Sequence, residues 1–332
     1  MIRLLSVICG AALLVWLVVS SDVPSLLADL SRIGPRLFVI LALEVVVNAF
    51  ATLGWWFTLP RAERTVSLWR LFWIRTAGTA LNQAIPSATL GGEAAKVVLL
   101  RPQISSDVVA ASLLAARMSF SSAKALFIAV GLATVWSRLQ LPRAGSLALL
   151  AGFALLLIGI SLFAALQLRG FRAGTIGALQ RVRLRARWIT LTGDWLHGVD
   201  AHLWDLYRTR RGDLARSLGA HICSLGCGVL QIVLLMAWLG LSFDPGAALG
   251  IEAFTTLVGF VMFVVPGSLG VQEGGRVLIF AALGLPRPAA LAVGITFRVI
   301  SLVEIAAGLC AWVALQHRGA PGRVSAKGAR AR

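Results

Sequence analysis

Apolar residues run for about twenty positions at a stretch, six times along the chain. A helix rising 1.5 Å per residue needs about 20 such residues to cross a hydrocarbon core about 30 Å thick. Residues 4–20, 37–59, 107–135, 144–167, 218–240 and 289–315 meet that need and are predicted as full spans. Two further apolar stretches are interrupted. Pro86, Gly91 and Gly92 break 71–100; Pro266, Gly267, Gly270, Gly274 and Gly275 break 248–285. Each arm of 71–100 is too short to cross alone. Both stretches are predicted as re-entrant hairpins, entering and leaving on the same side. The expected fold is an all-α polytopic membrane protein with six full transmembrane helices and two re-entrant helical hairpins.

The polar segment 168–217 has a different rhythm. Arg181, Arg183, Arg185 and Arg187 alternate with apolar residues. Trp188, Leu191, Trp195, Val199, Leu203 and Leu206 then recur at spacings of three or four. That pattern predicts an amphipathic helix with tryptophans on its apolar face, suited to lying in the membrane interface.

Composition agrees. Hydrophobic residues make up 58% of the 332 and charged residues 14%, which excludes a disordered chain and a soluble two-domain enzyme. The net charge of +17 would point to nucleic acid if it lined one soluble face. Here the basic residues sit between apolar runs, so they report topology and no nucleic-acid partner is expected. With the N-terminus inside, 21 of the 31 basic residues fall in cytoplasmic segments, Arg75 among them. Both termini are therefore expected in the cytoplasm, with the protein in the inner (plasma) membrane and anionic lipid at its cytoplasmic face. Residues 1–20 read better as a first span than as a signal peptide, because the remaining spans then balance.

The two interrupted stretches share a motif. The first reads Pro86-Ser87-Ala88-Thr89-Leu90-Gly91-Gly92-Glu93-Ala94-Ala95-Lys96 and the second Pro266-Gly267-Ser268-Leu269-Gly270-Val271-Gln272-Glu273-Gly274-Gly275-Arg276. Proline precedes glutamate by seven, and a basic residue follows it by three, in both. Arg117 and Arg298 then lie 24 and 25 residues beyond Glu93 and Glu273, each inside the next span. Two halves follow, 1–135 and 144–315, each reading span, span, hairpin, span, with 316–332 as a basic cytoplasmic tail. The first half starts inside and the second outside, which makes an inverted-topology repeat. Interrupted segments at matching places in inverted halves point to a transporter's midplane site.

Ten ionisable residues fall within these membrane segments: Glu44, Glu93, Lys96, Arg117, Lys124, Glu252, Glu273, Arg276, Arg298 and Glu304. Charge at a span centre is costly, so these residues are expected to pair or to face water. Five acids against five bases favour pairing. Glu93, Lys96, Arg117, Glu273, Arg276 and Arg298 are the candidate substrate-binding charges, although Lys96 and Arg276 could instead snorkel to an interface. Asn82 and Gln272, with Gln83 and Thr89, line a polar cavity or satisfy broken-helix backbone. The hairpin breaks are assigned to Pro86, Gly91, Gly92, Pro266, Gly267, Gly270 and Gly274. No metal, cofactor or catalytic motif is found. Cys9, Cys223, Cys227 and Cys310 lie in apolar runs, and His197 and His202 do not share a helix face.

At the hairpin motifs the sequence resembles the lysylphosphatidylglycerol synthase transmembrane family, also called flippase-like. The matching residues are Gly91-Gly92-Glu93 with its basic residue and Pro266-Gly267-Ser268-Leu269-Gly270-Val271-Gln272-Glu273-Gly274. Hopanoid-associated members look similar around both motifs. The resemblance covers about 1–316 and implies a polytopic lipid-translocating unit. Some members carry a fused cytosolic aminoacyl-transferase domain. This chain ends at 332 in a short basic tail, so it is expected to lack that domain and lysyl transfer.

The expected function is therefore a lipid flippase or transporter, not an enzyme. It would move an anionic or polyprenyl/hopanoid-type lipid through a charged cavity between the hairpins. The alternatives are a membrane enzyme acting on a lipid phosphate and a non-transporting partner of a lipid-modifying enzyme.

Overall fold

The computed structural model describes residues 23–84, 90–170, 186–242, 244–261 and 270–319, and their regular structure is entirely helical. In chain order the helices are α1 (Val23–Ile33), α2 (Leu37–Thr58), α3 (Leu68–Ala84), α4 (Leu90–Leu100), α5 (Ser106–Val135) and α6 (Arg143–Arg169). They continue as α7 (Ala186–Arg208), α8 (Arg211–Trp238), α9 (Pro245–Val261), α10 (Val271–Ala282) and α11 (Arg287–Gly319). Familiar signals set several ends. Pro142 precedes α6 and Pro245 opens α9, where a missing N–H costs nothing. Gly170, at φ 84°, closes α6.

Five stretches are long and apolar enough to cross a membrane: Val23–Thr58, Ser106–Arg138, Arg143–Arg169, Arg211–Trp238 and Arg287–His317. Each overlaps one predicted span. The sixth, 4–20, lies outside the described residues. Two boundaries differ from expectation. The segment before 37 was expected as a loop but holds α1, whose Leu26 and Ile33 are buried in the main core. The 218–240 span begins at Arg211, because the polar turn holding Asp213 continues the helix.

Packing exchanges elements between the two parts of the chain. α2 lies against α8, where Gln231 Nε2 donates to Ile40 O at 3.2 Å and Ser224 Oγ to Val47 O at 2.9 Å. α3 packs on α11, and α9 packs on α5. Glycines permit both of these close crossings. A Cβ at Gly308 would stand 2.6 Å from Thr76 O, and one at Gly131 would stand 2.9 Å from Leu249 O. The interrupted stretches fold back on themselves. Gly92 meets Gly78 and Asn82 while Lys96 meets Gly78, so α3 and α4 run antiparallel. Gly275 meets Val258 and Gly259 approaches Gln272, so α9 and α10 do the same. The main apolar core joins α1, α2, α5, α6 and α8 to α11. A satellite core joins the C-terminal part of α2 to α3, α4 and α5. α6 turns Leu147, Leu150, Leu155, Ile158, Leu162 and Leu166 outward, a surface suited to hydrocarbon.

The amphipathic segment forms α7, but its apolar stripe is not given to lipid. Leu196, Val199, Leu203 and Leu206 are buried, the last three against Ala111 and Ala115 of α5. Trp195 Nε1 donates to Ser106 Oγ at 3.2 Å, and the Tyr207 hydroxyl donates to Gln167 Oε1. Burial pushes the Tyr207 phenol up to about 12, so it remains a donor at ordinary pH. Trp195, predicted on the apolar stripe, is exposed rather than packed with Val199, Leu203 and Leu206, and Trp204 is exposed as well. The stripe is only as wide as the α5 surface it covers. The side chains of Trp188 and Leu191, and Arg181, Arg183 and Arg185, lie outside the described residues.

Candidate functional site

The second hairpin builds the tighter of two matched charge sites. Gly270, at φ 72°, sits just before α10, and its carbonyl accepts from Gly274 N at 2.8 Å. That left-handed turn starts the helix sharply and places Glu273 in its first turn, where the helix dipole favours a carboxylate. Arg298 on α11 reaches Glu273 Oε1 with Nη2 at 2.6 Å and Nε at 2.9 Å. Arg276, one turn on, is buried, with its guanidinium 4.6 Å from the Phe297 ring centroid. Among the described residues, Glu273 Oε2 and Arg276 Nε have no hydrogen-bond partner.

The first hairpin repeats the pattern more loosely. Asn82 Oδ1 on α3 accepts from Gly92 N at 2.7 Å and so caps the start of α4. Of the two roles open to Asn82, satisfying broken-helix backbone is the one seen. Glu93 is again in the first turn. Lys96 Nζ lies 2.9 Å from Glu93 Oε1, and Arg117 Nη1 on α5 lies 4.0 Å from it. Lys96 and Arg276 are both buried, so neither snorkels.

The structure thus brings Glu93, Lys96 and Arg117 together, and likewise Glu273, Arg276 and Arg298. Gln272 is half-buried beside Gly259. Gly91, Gly92 and Gly274, expected at the breaks, are helical, just inside the helices that follow. Gly92 is small so that α3 can approach: a Cβ there would stand 1.9 Å from Gly78 O. Pro86, Thr89, Pro266 and Gly267 lie outside the described residues.

A third cluster was not foreseen as a unit. The charge pattern of the sequence places Arg75 among the cytoplasmic residues. Instead its Nη1 donates to Asn48 Oδ1 at 2.6 Å, level with the middle of α2. Asn48 Nδ2 in turn donates to Glu44 Oε1 at 3.2 Å and to Glu304 Oε1 on α11 at 2.5 Å. Gln231 Nε2 on α8 donates to Glu44 Oε2 at 2.9 Å. Arg75 therefore joins the ten charges predicted within membrane segments, all of them described residues, making six basic against five acidic in that set. Apolar neighbours on α3 were the available signal: Leu71, Ile74 and Ala77 are buried around Arg75. A small pocket at Asn48, Thr76, Gln83 and Glu304 adjoins this cluster. Across the molecule, Glu252 on α9 lies within electrostatic reach of Arg276, Glu44 and Lys124.

Guanidinium and ammonium groups at these positions can take a phosphate, and the carboxylates can hold the cations in place until one arrives. No curated protein and no solved structure matches the chain. The profile of the lysylphosphatidylglycerol synthase TM region matches residues 3–308, and this multi-pass membrane protein belongs to that family.

Proposed function

We propose that the protein translocates an anionic or polyprenyl/hopanoid-type lipid across the inner membrane, with its head group passing the charged groups between two re-entrant hairpins. The observation that carries this is the matched construction of the two sites. Glu93 and Arg117 on one side, and Glu273 and Arg298 on the other, join a short hairpin helix to the following span. Lys96 and Arg276 stand behind them, and Gln272 flanks the second site. The exchanged packing of α3 on α11 and α9 on α5 supports an inverted-topology repeat of 1–135 and 144–315. In this reading both termini and α7 face the cytoplasm. The arginines meet the phosphate, the glutamates release them to it, and the halves rock about the site while the acyl tails stay in lipid.

The test is translocation of fluorescent phosphatidylglycerol and of a polyprenyl phosphate in proteoliposomes. Wild type accelerates movement of at least one, and the Glu93→Gln, Glu273→Gln double variant, reconstituted at equal folded amount, does not. Translocation by wild type no faster than in empty liposomes, under any ion gradient, overturns the proposal, as does unchanged translocation by the double variant.

A further inference from the structure

A second concentration of charge lies away from the hairpins, where the last turn of α2 meets the first turn of α8. Asp213 is buried there. Arg64 Nη2 approaches its Oδ2 to 2.9 Å, Arg210 Nη2 to 3.2 Å and Arg61 Nε to 3.5 Å, while Arg216 Nη1 reaches Oδ1 at 3.3 Å. Four guanidiniums on one carboxylate exceed what that carboxylate needs. The converging segments, 61–64 and 205–216, carry six arginines against Glu63, Asp205 and Asp213.

The arginines divide by task. Arg64 and Arg210 are largely buried and donate to the carbonyls that end α2. Arg64 reaches Phe57 O at 2.8 Å and Leu59 O at 3.2 Å, and Arg210 reaches Leu59 O at 2.5 Å. They cap a helix C-terminus, where cations are favoured. Arg61 and Arg216 are 74% and 60% exposed, and each touches Asp213 through a single nitrogen. Their high exposure and single contact leave further N–H donors that Asp213 does not use. Arg64 also lies over the Trp56 ring at 4.7 Å, which puts an aromatic beside the arginines.

Depth decides what such a patch meets. α2 and α8 belong to stretches apolar and long enough to cross a membrane, and the cluster sits at the shared end of both. That is the level of lipid phosphates, and tryptophan beside arginine is the usual composition there. We propose that Arg61 and Arg216, set in place by Asp213 with Arg64 and Arg210, form a fixed docking site for the phosphate of an anionic membrane lipid, separate from the hairpin sites. The bound phosphate offsets the excess positive charge and ties the α2–α8 pair to the bilayer surface. The site shares no residue with the proposed translocation route, so its failure leaves that reading untouched.

The experiment is thermal unfolding of the full-length protein in detergent, titrated with phosphatidylglycerol, phosphatidylcholine or inorganic phosphate. Phosphatidylglycerol raises the midpoint, and equal concentrations of the other two do not. The Arg61→Gln, Arg216→Gln variant needs about thirtyfold more phosphatidylglycerol for the same shift. The Arg143→Gln, Arg287→Gln variant, which removes two exposed arginines elsewhere, behaves as wild type. Both pairs are exposed, so folding is expected to survive, and a wild-type midpoint without lipid checks this. A wild-type response from Arg61→Gln, Arg216→Gln overturns the proposal, as does equal weakening in the control pair. Stabilisation by inorganic phosphate at the same concentration would assign the site to free phosphate and overturn the lipid assignment.

Discussion

Glu93 and Glu273 occupy the same place in the same motif, yet one is 30% exposed and the other 2%. Their arginines differ likewise, Arg117 at 51% and Arg298 at 20%. Arg298 grips its carboxylate through two nitrogens near 2.8 Å, whereas Arg117 stands 4.0 Å off. A shared spacing of acid and base therefore supports two different electrostatic situations. A buried ion pair is intolerant of losing one member, while a solvated one barely notices. On the proposed function, the loose site is the one open to an incoming head group and the tight site is the closed end of the same route.

The sharpest test removes one carboxylate at a time. Glu273→Gln strands Arg298 and Arg276 in the interior and is expected to cost about 3–5 kcal/mol of stability. Glu93→Gln also takes the carboxylate from buried Lys96 but spares the half-exposed Arg117, and is expected to cost less, about 1–3 kcal/mol. Equilibrium unfolding in mixed micelles reads both, and equal losses would erase the distinction. The helix crossings of the two hairpins differ next. Gly92→Ala drives a Cβ into the Gly78 carbonyl at 1.9 Å, whereas Gly275→Ala meets only Val258 Cγ1, at 3.2 Å. The first is expected to lose about 1–3 kcal/mol and the second less than about 1 kcal/mol. Asn82→Ala uncaps Gly92 N and is expected to cost about 1 kcal/mol. Arg117→Gln should have the smallest effect, under about 0.5 kcal/mol, because its contact is long and half-exposed. If Arg117→Gln melts like Arg298→Gln, the loose site is tighter than its geometry says.

Hydropathy carried the long helices well, because a span is a local property. The 37–59, 107–135, 144–167 and 289–315 predictions end within a few residues of α2, α5, α6 and α11. The pairing of Glu273 with Arg298 was also legible, since the motif recurs with its arginine 24 or 25 residues on. Contacts between distant helices were not. Asn48 and Glu304 are 256 residues apart, and nothing near either one announces the other. Arg75 was assigned to the wrong environment because a lone arginine between apolar residues resembles a span boundary. The Asp213 cluster was hidden for a related reason: five separate charges in polar turns look solvated until folding brings them onto one carboxylate. The stripe on α7 was read correctly as apolar, but an apolar stripe cannot say whether lipid or α5 will cover it.

The seating of α3 on α11 sets a timetable for biogenesis. Residue 308, against which Thr76 and Ala80 close, is made long after α3. Roughly 200 residues separate the end of α3 from the start of α11, which at about 5–20 residues per second is about 10–40 s of synthesis. For that interval α3, which carries Arg75, lacks its main neighbour. A nascent chain at that stage should depend on the insertion machinery to shelter the hairpin, and synthesis stalled before α11 should leave it open to degradation.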